Sequence, residues 1–179
     1  MVIRYRGYEI EERDGRIIVN NVRDFNPEHI FECGQCFRWI RQEDGSYAGV
    51  AKGRAVIVCY MDGKLEISNS TTEDFKNIWF DYFDLGRDYS EIKEKLLKDE
   101  IMKNAIKFGH GIRLLRQDLW ETLISFIISA NNRIPMIMKV VSTISQMYGT
   151  EIIMNGKSYY NFPDVDSLAS SALERLEMC

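Results

Sequence analysis

Two cysteines three residues apart, Cys33 and Cys36, are the first candidates for chemistry in this sequence. Zinc sites and thiol redox centres both use the Cys-x-x-Cys spacing, and here the pair encloses a glycine in the stretch ECGQCFRW. A structural zinc site needs four ligands, yet Cys59, His29 and His110 are scattered singly along the chain. A redox pair would stand at the start of a helix, whereas the strand-like FRWIR follows Cys36. We therefore expect no metal here, no redox role, and two semi-buried thiols.

No complete catalytic set is visible elsewhere in the sequence. Neither histidine has a Ser, Cys or Asp neighbour at a recognisable catalytic spacing, and no phosphate-binding glycine loop is present. The stretch ANNRIP, residues 130–135, is the other polar candidate. Adjacent asparagines and an arginine at a helix–helix junction could cap the helix ends or face a polar ligand, and capping is the simpler interpretation.

Composition and charge narrow the class of protein. The 179 residues are 45% hydrophobic and 28% charged, which is typical of a globular protein. No apolar run approaches the roughly 18 residues that span a bilayer, and the N-terminus lacks the apolar core of a signal peptide. We expect a cytoplasmic protein with no membrane partner and with reduced thiols, since four cysteines are few for a disulfide framework.

Positive charge is concentrated in one part of an acidic chain. The net charge is −4, but residues 101–149 hold six Lys/Arg against Asp118 and Glu121, so this segment carries +4 and the rest −8. The distribution predicts a basic face that could contact phosphates. Ordinary scatter of surface charge would give the same count, so the charge alone does not decide between a basic face and random scatter.

The first 70 residues predict an antiparallel sheet that would position the cysteine stretch. Asp-Gly pairs at Asp14-Gly15, Asp44-Gly45 and Asp62-Gly63 suit the positive dihedral angles of tight hairpin turns, and AKGRA adds a fourth turn. Between these turns lie the strand-like runs YEIEE, RIIV, FRWIR, SYAGVA, AVIVCY and KLEIS.

From Thr71 the apolar period becomes helical. TTEDFKNIWFDYF and YSEIKEKLLKDEIMKNAIKFG are predicted helical, and DLWETLISFIISANN is predicted to start with a capping box between Asp118 and Glu121. Apolar residues cover nearly the whole circumference of that last helix, which predicts a buried central helix. Pro135 opens the next helix and Gly149 closes it, and DVDSLASSALERLEMC predicts a last helix up to the end of the sequence.

Two stretches resemble one family. GQCFRW, from Gly34 to Trp39, and GIRLLRQDLWETLISFIISANNRI, from Gly111 to Ile134, are similar to segments of the 8-oxoguanine DNA glycosylases of the helix-hairpin-helix superfamily. YFDLGRDYSEI and FPDVDSLA continue the resemblance in the same order, from about residue 25 onward. It implies an α+β fold, with an N-terminal antiparallel TATA-binding-protein-like sheet in residues 1–98 and the first helices of a helix-hairpin-helix glycosylase helical domain in residues 99–179.

The resemblance also implies a function. Such enzymes act in base-excision repair and flip the damaged guanine out of double-stranded DNA into a pocket. In the family, the position of Gly34 supplies a main-chain carbonyl that accepts the hydrogen on N7 of 8-oxoguanine. Ile134 would lie near the lesion. The residues that would contact the opposite base or the DNA are Asn131, Asn132, Arg133 and Met136, where Met136 stands in place of the cytosine-reading arginine of eukaryotic members.

Part of the family pattern is absent from the sequence. The helix-hairpin-helix motif, the lysine that attacks C1′ and the assisting aspartate follow the segment that matches the end of this chain. We therefore expect the N-terminal portion of a DNA glycosylase/AP lyase, with no catalytic residue and no cofactor in this chain, located with the nucleoid in a prokaryotic cytoplasm. Its partners would be 8-oxoguanine DNA and the missing catalytic part, and two chains could associate through exposed apolar surface. The alternative is a stand-alone non-catalytic DNA-binding or scaffold module of the same fold.

Overall fold

A computed structural model describes residues 1–170. Their contacts define two compact units whose segments alternate along the chain. Unit 1 comprises residues 1–35, 41–47 and 57–116, and unit 2 comprises residues 36–40 and 48–56 and the described residues from 117 onward. The expected division into domains after residue 98 stays a prediction, because compact units defined by contacts need not coincide with folding domains.

Nine strands account for the β-structure of the described residues. They are β1 (Val2–Tyr5), β2 (Tyr8–Arg13), β3 (Arg16–Val19), β4 (Trp39–Arg41), β5 (Tyr47–Ala51), β6 (Arg54–Met61), β7 (Lys64–Ser68), β8 (Glu151–Met154) and β9 (Lys157–Tyr160). The first seven form one sheet in the order β1-β2-β3-β7-β6-β5-β4, and β8 and β9 form a separate antiparallel hairpin. The mixed α+β fold class predicted from the sequence is confirmed.

The hairpins form where the sequence places positive dihedral angles. Both residues of Asp14-Gly15 adopt positive φ angles, 51° for the aspartate and 71° for the glycine. The same holds for Asp62-Gly63, with 50° and 77°. They join β2 to β3 and β6 to β7 in tight antiparallel registers. The predicted turn in AKGRA is also present, and an Arg6-Gly7 turn between β1 and β2 was not predicted.

The core of unit 1 lies on one face of its strands. Ile17 pairs with Ile67 and Val19 with Leu65 across β3 and β7, and all four side chains are fully buried. The alternation of buried and exposed residues along both strands places every second side chain on this face. Trp79, which is fully buried, donates its indole N–H to Ser70 Oγ at 2.8 Å. The large buried aromatic residues of unit 1 also include Phe75 and Phe83.

The described α-helices are α1 (Pro27–Phe31), α2 (Thr72–Asp74), α3 (Phe80–Tyr82), α4 (Tyr89–Leu96), α5 (Glu100–Phe108), α6 (Leu119–Ser129), α7 (Ile134–Tyr148) and α8 (Val165–Ala169). The two longest of them, α6 and α7, belong to unit 2. A π-helical segment, Phe75–Trp79, joins α2 to α3. Helix α7 begins next to Pro135 and ends at Gly149 as predicted. The predicted last helix is described only as α8, and residues 171–179 lie outside the described residues.

Helix α6 is not the buried central helix that its composition predicts. Leu119 is 87% exposed, Phe126 74% and Ile127 60%, and Ser125 is its only residue classed as buried. The apolar residues around α6 predict which side chains could be buried. Within residues 1–170, the neighbouring elements cover only part of this apolar surface. The exposed leucine, isoleucine and phenylalanine side chains form an apolar surface on α6, and light scattering on the purified chain would test the expected self-association through it.

No helix among residues 1–170 is both long enough and apolar enough to cross a membrane.

Candidate nucleic-acid interface

The loop after α1 is fixed by the side chain of Gln35. Its Nε2 donates to the carbonyls of Ile30 and Arg113, at 2.9 and 2.8 Å, and its Oε1 accepts from the N–H of Leu115 at 3.0 Å. Three bonds to main-chain atoms hold the side-chain amide of Gln35 in place. The residue next to Gly34 is therefore anchored to Ile30 in α1 and to the segment that contains Arg113 and Leu115. No local sequence pattern indicates this bridge, because its partners lie up to 80 residues away.

Gly34 itself has a left-handed backbone conformation, with a φ angle of 85°. A side chain at this position would be strained, since L-residues other than Gly rarely adopt it. Gly34 is half-buried, and no hydrogen bond from residues 1–170 reaches its carbonyl oxygen. The anchored loop therefore combines a main-chain acceptor with a residue that has no side chain of its own.

The two cysteines that flank Gly34 differ in environment. Cys33 is exposed and its thiol lies 3.4 Å from the carbonyl of Ile30, whereas Cys36 is buried. Among the described residues, no group of three or more His, Cys, Asp or Glu side chains is arranged to hold a metal ion. The sequence-based expectation that these thiols carry no metal and no redox chemistry stays a prediction.

A histidine pair lies beside the same loop. The ring of His29 packs edge-on against that of His110, with centroids 4.9 Å apart. The Nδ1 of His29 accepts from the N–H of Gly111 at 3.2 Å, so this nitrogen is unprotonated. Burial, and secondarily the neighbouring His110, lower the pKa of His29 below its usual value. The pair therefore favours neutral imidazole at His29.

The turn between α6 and α7 contains the asparagines predicted to face DNA. The Oδ1 of Asn132 accepts from the N–H of Arg133 at 2.9 Å, and its Nδ2 donates to the carbonyl of Ile128 at 3.4 Å. Asn132 therefore satisfies main-chain groups at the helix junction, as the capping interpretation predicts. Asn131 adopts a left-handed φ of 54°, and its side chain makes no hydrogen bond within residues 1–170. Its amide is thus available to a ligand.

The other predicted contact residues lie at the start of α7. Arg133 is the N-cap residue, and Ile134 and Met136 are 49% and 48% exposed. No side chain caps this helix; Pro135 has no N–H, and the N–H of Met136 donates to the carbonyl of Arg133 at 2.9 Å. The structure thus places Asn131, Asn132, Arg133, Ile134 and Met136 on one exposed turn of unit 2, while Gly34 belongs to unit 1. Their roles toward DNA stay a prediction.

A buried ion pair in unit 2 was missed by the sequence analysis. Arg38 contacts the carboxylate of Glu121 at 3.3 Å and also donates to the carbonyl of Tyr160. The predicted capping box is therefore half correct: Asp118 caps α6 by accepting from the N–H groups of Trp120 and Glu121, but the Glu121 carboxylate binds Arg38. Burial raises the pKa of Glu121 even though Arg38 lies beside it.

The basic segment is only partly available to phosphates. Arg113 is 2% exposed and its guanidinium binds main-chain carbonyls, Arg116 pairs with Asp81 and Asp84, and Lys103 pairs with Glu100. The predicted basic face is wrong for Arg113, which is buried, whereas Arg116 and Lys103 are partly exposed but already have carboxylate partners. The exposed cations of this segment without an ion pair among residues 1–170 are Lys107, Arg133 and Lys139.

Solved structures resemble this chain closely over most of its length. The structure of MBOgg1 in complex with a low affinity DNA ligand is 52% identical, with a TM-score of 0.94, and the match covers 96% of this chain and 59% of that one. The crystal structure of the Clostridium acetobutylicum 8-oxoguanine glycosylase/lyase, in complex with double-stranded DNA containing cytosine opposite 8-oxoG, is 50% identical, with a TM-score of 0.93. That match covers 95% of this chain and 59% of that chain.

More distant relatives agree with this assignment. The N-glycosylase/DNA lyase of Saccharomyces cerevisiae is 29% identical over 174 residues, a match that covers 89% of this chain and 46% of the yeast protein. The chain thus spans about half the length of the curated relatives it matches. Residues 17–123 match the N-terminal domain of 8-oxoguanine DNA glycosylase. Since this match covers more than half of the sequence, the chain belongs to the family of 8-oxoguanine DNA glycosylases and contains their N-terminal domain.

Proposed function

We propose that this chain is the lesion-recognition part of a base-excision repair DNA glycosylase/AP lyase. It binds double-stranded DNA and receives 8-oxoguanine after the damaged nucleotide has been flipped out of the stack, because the base cannot be read inside the duplex. The support is the similarity to glycosylase/lyase structures over 95–96% of the chain. The activity of a longer protein, and its location at the prokaryotic nucleoid, are part of the same proposal.

The observation that carries the proposal is the carbonyl of Gly34, which accepts no hydrogen bond from residues 1–170, in its anchored loop. 8-Oxoguanine carries a hydrogen on N7 and can donate it to a carbonyl, whereas guanine presents a lone pair there. The same oxygen therefore makes a hydrogen bond with the lesion and repels the normal base. Because the side chain of Gln35 bonds to the main chain of Ile30, Arg113 and Leu115, the loop that carries this carbonyl is restrained next to Gly34.

The turn between α6 and α7 is proposed to contact the DNA around the vacated position. Asn131 would fill the gap left by the flipped nucleotide, since its amide carries both donors and acceptors and makes no bond within the described residues. Asn132 and Arg133 would support the turn and approach the backbone, and Ile134 would lie toward the lesion. Met136 would meet the opposite base with a polarizable apolar side chain.

Glycosidic bond cleavage is proposed to require residues outside this chain. The resemblance places the attacking lysine beyond the matched segment, and some lysines described here already serve local contacts: Lys93 binds Asp24, and Lys103 binds Glu100. Borohydride trapping on an 8-oxoguanine duplex should therefore yield no crosslink. A crosslink would contradict the proposal that the nucleophile lies outside this chain. In that case Lys52, which lines the same cavity as Asp118 and Glu121, would be the first candidate nucleophile, and Lys52→Gln should abolish the crosslink.

Binding selectivity tests the role of Gly34. Fluorescence anisotropy should show that the wild-type chain binds an 8-oxoguanine duplex more tightly than the matching guanine duplex, and that Gly34→Ala abolishes this preference. Gly45→Ala is the matched control, because Gly45 has a similar φ of 82° in a turn with open space around it. If Gly34→Ala keeps the preference, or Gly45→Ala loses it equally, the carbonyl of Gly34 is not the determinant.

A further inference from the structure

A cavity in unit 1 is lined by four arginines and shares no residue with the Gly34 loop or the turn between α6 and α7. Its volume is about 370 Å³, enough for a small anion and its hydration shell. Three segments enclose it: the β1–β2 turn, residues 21–24, and residues 85–90 at the start of α4. The arginines are Arg6, Arg23, Arg87 and Arg113, against only two carboxylates, Asp24 and Asp88.

Arg113 places a positive charge at the base of this cavity. Its guanidinium donates to the carbonyls of Asp24, Asp84 and Arg23, at 2.9, 2.8 and 2.9 Å, and lies 4.5 Å from the centre of the Tyr89 ring. Carbonyls and an aromatic face orient the group but do not neutralise it. A buried cation without a carboxylate in contact makes the cavity electropositive, and burial lowers its pKa accordingly.

The two carboxylates of the cavity have partners of their own. Asp24 binds Lys93 and accepts from Ser90 Oγ at 2.5 Å. Asp88 is the N-cap residue of α4, accepting from the N–H groups of Ser90 and Glu91 at 2.9 and 3.2 Å. Both oxygens of Asp24 are engaged and Asp88 uses its Oδ1 for both bonds, and neither carboxylate forms an ion pair with a rim arginine within residues 1–170.

The rim arginines keep donors available. Arg6 stacks over Tyr5 and Phe80, with its guanidinium carbon 5.6 and 5.2 Å from the two ring centres, a contact that uses no N–H group. The side chain of Arg23 makes no hydrogen bond or ion pair with residues 1–170. Arg87 uses its Nε on Asp84 at 2.9 Å and is half-exposed. Planar guanidinium groups present paired N–H donors that match the oxygens of phosphate.

We propose that the cavity between residues 6–8, 21–24 and 85–90 binds a phosphate group through Arg6 and Arg23, with the charge of Arg113 behind them. The ligand is either free phosphate or a phosphodiester of nucleic acid, since both offer the same oxygens. The double variant Arg6→Gln/Arg23→Gln removes the rim donors and keeps polar side chains of similar length. Lys64→Gln/Lys98→Gln removes the same charge from exposed positions of unit 1 outside the cavity.

Thermal unfolding in phosphate tests the site directly. At constant ionic strength, replacing chloride by inorganic phosphate should raise the Tm of the wild type and of the lysine control, with a dissociation constant on the order of 1 mM. Arg6→Gln/Arg23→Gln should weaken this constant about tenfold. Melting of each variant in chloride alone shows whether it is folded. Equal phosphate stabilisation of all three proteins, or none in the wild type, overturns the proposal.

A second arm separates the two sources of phosphate. Affinity for an undamaged 20-base-pair duplex is measured against salt concentration, where each lost phosphate contact lowers the slope by about one. A lower slope in the arginine variant, with an unchanged slope in the lysine control, assigns the site to the DNA backbone. Equal slopes together with lost phosphate stabilisation assign it to free phosphate.

Discussion

Removing the carboxylate of Glu121 should destabilise unit 2 strongly. The Arg38 side chain is only 9% exposed and that of Glu121 20%, so both charges are largely withdrawn from water. Glu121→Ala leaves the guanidinium buried with the Tyr160 carbonyl as its remaining described acceptor. Breaking a buried pair in this way costs about 3–5 kcal/mol. Glu121→Gln keeps an acceptor for Arg38 and should cost about 1–2 kcal/mol.

The pair is not expected to be a large net contributor to stability. Burial raises the pKa of Glu121, and Arg38 offsets this only in part, which means that desolvation outweighs the attraction. An acid with a raised folded-state pKa binds more protons when folded, so its contribution becomes more favourable as pH falls from neutrality toward its ordinary value of 4.5. The double replacement Arg38→Met/Glu121→Leu should therefore be within about 1 kcal/mol of the wild type.

Urea unfolding at pH 7, followed by tryptophan fluorescence, measures these differences. Trp120 is next to Glu121 and donates its indole N–H to the carbonyl of Pro163 at 3.0 Å, so it reports on this region. A loss below about 1 kcal/mol for Glu121→Ala would refute the reasoning. A double variant as unstable as Glu121→Ala would show that the cost comes from packing and not from the unpaired charge.

Three further predictions concern the remaining candidate residues. The affinity of the chain for 8-oxoguanine duplexes should depend little on the base opposite the lesion. Met136→Arg should introduce a preference for cytosine at that position worth about 1–3 kcal/mol. A strong preference of the wild type for cytosine would contradict this prediction. Ser replacement of Cys33 and Cys36 should leave folding and metal content unchanged, whereas stoichiometric zinc by elemental analysis would exclude the prediction. Because His29 has a lowered pKa, stability should fall as pH drops below about 6.5, and His29→Gln should flatten this dependence in urea titrations.

The hairpins were predictable because their determinants are local. Asp14-Gly15 and Asp62-Gly63 favour positive φ angles through their own residue types, whereas at Asp44-Gly45 only the glycine adopts one. Asn155-Gly156 carries the same kind of signal and joins β8 to β9, but no hairpin was predicted there.

The environment of the candidate site could not be predicted in the same way. Gln35 binds residues about 80 positions away, and Arg38 binds Glu121 across 83 positions, so no local pattern marks either contact. The family resemblance identified Gly34 as a site residue but did not explain why this position is a glycine. The positive φ angle of Gly34, beside the anchored Gln35, explains it. The burial of Arg113 reversed its expected role, since charge counted along the sequence does not distinguish a surface donor from a buried one.

The alternation of the two units along the chain has a consequence for how the protein is made. Residues 36–40 and 48–56 belong to a unit whose remaining segment starts only at residue 117. During synthesis they emerge more than 60 residues before those partners, so unit 2 is expected to assemble after most of unit 1 has left the ribosome. No single cut of the gene separates the units, and a truncation at residue 98 would also remove Arg113 and Leu115, which hold the Gly34 loop through Gln35.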